Sequence, residues 1–218
     1  LLWLRVDLKN FYQGWILTAG YEGTGEGSGI FVVDCTTYDS RIVHFYCISS
    51  RVALLNNHFD YSQNHLAYAE NVRVGVIDGN TFERAAFGRC ALRISGAGLN
   101  YMASNVWVSN NDFLGWMDPR KRADYDGNVA LSINGDRYNY TLVGFTPNVP
   151  TEDRFGEWLV FENNVVTDSE VFMRLAAWEH VLIRKNVFTT PDPTQEKKFY
   201  IGEMQERRPL YDVQIVDN

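Results

Sequence analysis

Cysteine is scarce in this chain of 218 residues, and Cys35, Cys47 and Cys90 show neither Cys-x-x-Cys nor Cys/His spacing. A structural zinc site and a disulfide framework are therefore not predicted. Each Cys lies in an apolar stretch, which predicts small buried hydrophobic side chains. A bridge between Cys35 and Cys47 is the one pairing left open.

Long apolar runs and an excess of positive charge are also missing. No run of about eighteen apolar residues occurs, so no membrane-spanning helix is predicted. The formal net charge is −7, which argues against nucleic acid as a partner but allows an anionic ligand at a local basic patch. Residues 124–128 (Asp-Tyr-Asp-Gly-Asn) weakly resemble a calcium loop without its remaining ligands, so no metal or other cofactor is predicted and calcium is the alternative.

What the sequence does have is a short phrase that recurs. Alternating apolar residues are followed by Asn and then by a further apolar residue, in copies at 52–59, 74–82, 106–113, 159–166, 181–188 and 213–218. The aligned asparagines are residues 57, 80, 111, 164, 186 and 218, with spacings of 23, 31, 53, 22 and 32. A base period of about 22 residues with inserted loops is typical of stacked β-repeats.

A second alternating strand recurs between these phrases, at 65–69, 91–95, 130–134, 172–176 and 198–202. Each repeat is therefore predicted to have at least two strands that meet at a bend containing the Asn. Asn tolerates the left-handed backbone region, and stacked copies about 4.8 Å apart can form an amide ladder. The prediction is an all-β chain, with one parallel β-helix domain over 1–218; an antiparallel β-sandwich is the alternative.

The phrase at 181–188 (Val-Leu-Ile-Arg-Lys-Asn-Val-Phe) resembles the repeat of right-handed parallel β-helix proteins. That superfamily contains pectate lyases, alginate lyases and epimerases, polygalacturonases and phage tailspikes. The resemblance implies a right-handed β-solenoid that handles carbohydrate, and a secreted or cell-surface location. The last repeat stops at Asn218 before its second strand, which predicts a longer parent solenoid or a partner that covers this end.

Insertions at about 114–128 and 136–157 are predicted to flank a groove over the sheet of second strands. Outward positions of that sheet are read as Ala67, Arg93, Ser132, Arg174 and Tyr200, with His65 on the same face. The candidate catalytic residues are His65, Arg93 and Arg174, and the candidate substrate-binding residues are Trp116, Ser132, Asn134, Tyr138 and Tyr200.

Two functions are compatible with this polar strip. In a lyase or epimerase, Arg93 or Arg174 neutralises the carboxylate of an acidic sugar while His65 or Tyr200 removes the α-proton. Hydrolysis would need paired carboxylates, and the candidates Asp118, Asp126, Asp136 and Glu157 are predicted to lie in loops. The alternative function is a non-catalytic carbohydrate-binding or adhesive segment of the tailspike type.

Overall fold

A computed structural model describes residues 1–12, 15–18, 29–70, 72–85, 90–95, 103–114, 141–145, 156–167, 171–175, 178–189, 198–201 and 210–218. Within these ranges the chain forms 22 β-strands and no helix. All the strand pairs in them are parallel, as the repeat predicts.

The strands form three sheets. Sheet A has eight strands: β1 (Leu2–Leu4), β4 (Gly29–Val33), β7 (Arg51–Leu55), β10 (Val74–Asp78), β13 (Ser104–Ser109), β16 (Gly156–Glu162), β19 (Trp178–Arg184) and β22 (Tyr211–Val216). Sheet B has seven: β2 (Asp7–Phe11), β5 (Thr36–Ser40), β8 (His58–Ser62), β11 (Thr81–Ala85), β14 (Asp112–Leu114), β17 (Val165–Thr167) and β20 (Val187–Thr189). Sheet C has seven: β3 (Trp15–Thr18), β6 (Phe45–Ile48), β9 (Ala67–Glu70), β12 (Leu92–Ser95), β15 (Thr141–Phe145), β18 (Val171–Leu175) and β21 (Lys198–Ile201).

The chain visits sheets A, B and C in fixed rotation, and one such passage is called a repeat below. Each repeat has three strands, in agreement with the prediction of at least two, and the recurrent phrase spans a sheet A strand and the following sheet B strand. The predicted strand at 130–134 lies outside the described residues. Its expected place between β12 and β18 is taken by β15, since Leu92 pairs with Val143 and Val143 with Met173. The second predicted insertion, 136–157, therefore contains a sheet strand.

The core lies between the three sheets, where every second side chain points inward. In sheet B, Phe59, Phe82 and Phe113 are fully buried and stacked, with ring centroids 5.3 Å and 5.0 Å apart. Parallel strands place equivalent residues one above another, so identical rings stack and add about 1 kcal/mol per pair beyond their burial. Cys35, Cys47 and Cys90 are buried free thiols, so the bridge left open is not formed.

The predicted amide ladder is present. Asn57, Asn80, Asn111, Asn164 and Asn186 are buried, and each donates from Nδ2 to Oδ1 of the Asn in the next repeat at 2.8–3.0 Å. The left-handed residue is the one before the ladder Asn, with positive φ at Asn56, Gly79, Asn110, Asn163, Lys185 and Asp217. The ladder side chain instead caps the bend from inside, because it also donates to a backbone carbonyl of the preceding repeat.

Candidate functional site

Four of the predicted substrate-binding residues, Trp116, Ser132, Asn134 and Tyr138, lie outside the described residues, as does the calcium-like segment 124–128. Arg174 and Tyr200 are placed by their backbone alone, in β18 and β21. The register continues from Arg93 through Gly144 to Arg174 and Tyr200. Arg93 and Arg174 therefore occupy one row of sheet C, two strands or roughly 10 Å apart.

Arg93 points outward from sheet C, as predicted. Its neighbours Leu92 and Ile94 are fully buried, and Arg93 is partly exposed. The residue before it in the row is Tyr68, because Arg93 pairs with Tyr68 and the buried Ala67 pairs with Leu92. The prediction that Ala67 points outward is therefore wrong, because Tyr68 holds that position. In a strand, an error of one residue in the register assigns a side chain to the opposite face of the sheet.

The guanidinium of Arg93 lies over the ring of Tyr68, 4.9 Å from its centroid. Tyr68 in turn donates a hydrogen bond to Oε1 of Glu70, and Tyr46 on the neighbouring strand donates to Oε2 at 3.0 Å. Glu70 is 7% exposed, so the two phenols hold a buried carboxylate, while Tyr46, Tyr68 and Arg93 are themselves partly exposed. Burial and then the charge of Glu70 raise the pKa of Tyr46 well above its ordinary value, which keeps this phenol protonated.

These four residues, called the Arg93 cluster, come from three adjacent strands: Tyr46 from β6, Tyr68 and Glu70 from β9, and Arg93 from β12. Only Arg93 was predicted. Tyr68 and Glu70 fall within or beside the second-strand phrase at 65–69, so the correct register would have found both. Tyr46 lies in an earlier repeat, where no copy of that phrase was recognised.

His65 is buried beside the Arg93 cluster, with its ring centroid 5.5 Å from that of Tyr68. It precedes β9 and is 7% exposed, and its Nδ1 accepts a hydrogen bond of 2.9 Å from the backbone N–H of Cys90. A ring that accepts at Nδ1 is neutral and carries its proton on Nε2. To take a proton at Nδ1, His65 would have to give up this bond between repeats.

A second polar cluster, on the outer face of sheet B, was not predicted. Arg84 binds both carboxylate oxygens of Asp60, with Nε 2.7 Å from Oδ1, and its guanidinium carbon lies 5.8 Å and 5.9 Å from the ring centroids of Tyr38 and Tyr61. Asp60 and Glu83 are register partners. Tyr61 and Arg84 have positive φ, which breaks the two-residue alternation and turns two successive side chains outward.

Three side chains of this region, His58, Asp60 and Glu83, have ligand atoms within 4.8 Å of one another and form the candidate metal group of the described residues. Nε2 of His58 lies 3.3 Å from Oε2 of Glu83. A cation there would have to compete with Arg84, which already neutralises Asp60. The cluster is therefore described more simply as an ion-pair network.

Neither protein-family models nor curated proteins give a match to this chain. Among the described residues, no helix has the length and apolar character needed to cross a membrane.

Proposed function

We propose that this chain is a right-handed parallel β-helix that binds an acidic polysaccharide along the outer face of sheet C, outside the cell, and acts on it as a lyase or epimerase. The observation that carries the proposal is the Arg93 cluster. A stacked guanidinium lies beside a buried carboxylate that holds two phenols, on adjacent strands of one sheet. The fixed rotation through three parallel sheets supports the β-helix.

A stacked arginine suits a sugar acid. Guanidinium binds carboxylate bidentately in a plane, and the Tyr68 ring restrains that plane before a ligand arrives. The same row brings Arg174 two strands further along the sheet. A polysaccharide that follows the row therefore meets cationic positions in succession on a protein whose net charge is −7.

The cluster also supplies the groups that β-elimination needs. Arg93 neutralises the sugar carboxylate and so acidifies the proton on the adjacent carbon. The oxygen of Tyr68 takes that proton while its own proton passes to Glu70 along their hydrogen bond. Tyr46 gives its proton to the departing glycosidic oxygen and takes a proton from the newly protonated Glu70 along their hydrogen bond, so no phenolate is left at a position that raises its pKa. Return of the proton to the other face of the sugar would give epimerisation instead.

The test is a panel of acidic and neutral polysaccharides, with unsaturated products followed by ultraviolet absorbance and binding by calorimetry. Arg93→Ala should abolish turnover and weaken binding to acidic chains. Tyr68→Phe should lower kcat more than it raises KM, because the phenol acts in the proton transfer. Arg84→Ala is the matched control, an arginine beside tyrosine rings on sheet B, and should change neither property.

Loss of turnover in the control but not in Arg93→Ala would contradict the assignment to sheet C. Binding without product would favour the second candidate, a carbohydrate-binding or adhesive segment. The observation that favours this candidate is the burial of His65, whose Nδ1 already accepts a hydrogen bond from the backbone N–H of Cys90 and is not open to a substrate proton.

A further inference from the structure

Sheet A differs from the other two sheets in what its outer face presents. Outward positions of sheet B include His58, Thr81 and Asp112, and those of sheet C include Tyr68 and Arg93. Sheet A instead has one row that is apolar on seven consecutive strands: Leu2, Phe31, Ala53, Val76, Trp107, Val160 and Leu182, before Gln214 ends it.

Apart from the small Ala53, which is 8% exposed, the side chains of this row are exposed or partly exposed. Phe31 is 41% exposed, Val76 37% and Trp107 44%. The residues on either side of them are buried core, such as Val106 and Val108 beside Trp107. Central parallel strands that read as continuous apolar runs are typical of sheets covered on both faces. One face of sheet A is covered by the core, and none of the residues that the structure describes covers the other.

We propose that sheet A is the interface between two copies of this chain, packed face to face about a two-fold axis parallel to the strands. Eight strands about 4.8 Å apart and five residues long give a face on the order of 600 Å². Specific, stable interfaces bury roughly 600 Å² or more from each partner. The apolar row alone runs over seven of these strands, so the face is large enough.

The centre of sheet A lies between β10 and β13, the fourth and fifth of its eight strands. A two-fold axis there reverses the strand order, so β10 faces β13 of the second copy and β7 faces β16. Val76 and Trp107 are register partners in one chain and therefore lie at the same height. The axis brings Val76 of each copy opposite Trp107 of the other, at the centre of the interface.

Charges at the strand starts are complementary under the same axis. Arg51 begins β7, and Glu157 lies at the start of β16; both are exposed and point outward. Val52 and Leu159 lie at one height through the register of β7, β10, β13 and β16, so Arg51 is level with Trp158, one residue from Glu157. Because β7 faces β16 of the second copy, the Arg51 side chain comes opposite Trp158 and within reach of the Glu157 carboxylate, twice per dimer. A two-fold axis perpendicular to the strands would instead place Arg51 opposite the other strand end, near Leu55. The charges therefore select the axis parallel to the strands.

Molar mass measured by sedimentation equilibrium tests the interface. The protein should have twice the monomer mass of 25.0 kDa. Val76→Arg should weaken the dimer at least about a hundredfold, because it buries an unpaired charge at the centre. Thr81→Arg, an outward change on sheet B, should leave the dimer intact. Circular dichroism would show that both variants remain folded.

A charge exchange tests the axis. Arg51→Glu and Glu157→Arg should each weaken the dimer about tenfold, since two like-charge contacts replace two ion pairs. The double variant R51E/E157R should restore the affinity. A monomeric native protein at high concentration, a dimer that Val76→Arg leaves intact, or a double variant weaker than either single one would overturn the proposal. Quenching of Trp107 by an oligosaccharide on a monomer would also overturn it. Arg93→Ala should not change the mass, so this result is independent of the polysaccharide proposal.

Discussion

Replacing Asn111 with alanine tests whether the amide ladder holds the repeats together from inside. Its Nδ2 donates to the carbonyl of Ile77 at 2.9 Å and to Oδ1 of Asn164 at 3.0 Å. Its Oδ1 accepts from both the backbone N–H and the Nδ2 of Asn80, each at 2.9 Å. Alanine removes all four hydrogen bonds at a position that is 0% exposed.

The expected loss of free energy of unfolding follows from the polar groups that lose their hydrogen-bond partner. Nδ2 of Asn80 keeps other acceptors, in Leu54 and Asp78, but its backbone N–H and the carbonyl of Ile77 lose the partner that the ladder gave them. Each buried polar group without a partner costs about 1–3 kcal/mol, so the two groups together should lower the free energy of unfolding of Asn111→Ala by about 2–6 kcal/mol. That is a large part of a typical stability of about 5–15 kcal/mol.

Asn218 provides the matched control, because it makes three of the same four types of bond in an exposed position, with the carbonyl of Val216 in place of a further ladder Asn. Its Nδ2 donates to Ile183 and Val216, and its Oδ1 accepts from N and Nδ2 of Asn186. Water can replace the amide there, so Asn218→Ala should cost only about 1 kcal/mol. Urea denaturation measures both variants, with the slope of the transition as a check that the same structure unfolds.

Asn111→Asp separates shape from hydrogen bonding. The side chain keeps its size, but an oxygen now faces the acceptors Ile77 and Asn164, and the charge is buried. It should destabilise the protein at least as much as alanine at neutral pH. Equal and small losses for Asn111→Ala and Asn218→Ala would refute the reasoning, because burial would then not matter to the ladder.

Three further predictions concern the core and the bends. Burial lowers the pKa of His44 from 6.5 to about 4. Between these two pH values the unfolded chain binds a proton at His44 and the folded chain does not. The free energy of unfolding should be highest above pH 6.5 and fall by about 3 kcal/mol towards pH 4, a loss that His44→Gln should remove from urea denaturation curves. Gly79 has a φ of +67°, and a Cβ there would lie 2.5 Å from Oδ1 of Asn56. Gly79→Ala should therefore cost about 1–2 kcal/mol, and an unchanged Tm would contradict the strained bend. Phe82→Ala should cost about 3–5 kcal/mol but Phe82→Leu less than about 2 kcal/mol; equal losses in calorimetry would mean that the ring stack is not tightly packed.

The repeat could be predicted from the sequence because the packing of the core restricts which residues occupy the inward positions. Stacking places like residues above one another, so the ladder asparagines recur at fixed places in the sequence and their hydrogen bonds follow. The left-handed position was harder to assign. Pairs such as Asn56-Asn57 and Asn110-Asn111 offer two residues that tolerate positive φ, and only the bond to the next repeat shows which one turns inward.

The outward residues were less predictable for a physical reason. Alternation with a period of two assigns faces only when the register is known, and one residue of error exchanged Tyr68 for Ala67. Residues with positive φ, such as Tyr61 and Arg84, break the alternation without any glycine to mark the place. The pattern of apolar positions in the sequence therefore could not predict the polar cluster on sheet B.

The outer faces of the three sheets differ in composition although all three are built from the same repeat. Inward positions are constrained by the residues above and below, so every repeat presents the same kind of core to its neighbours. Outward positions have no such constraint, yet sheet A keeps its row apolar while sheets B and C place charges and phenols there. Because apolar exposure lowers solubility without aiding the core, the composition of sheet A indicates selection for a contact. The proposed contact through sheet A would leave the outer faces of sheets B and C outside the interface, so the proposed polysaccharide site at the Arg93 cluster is compatible with the proposed dimer.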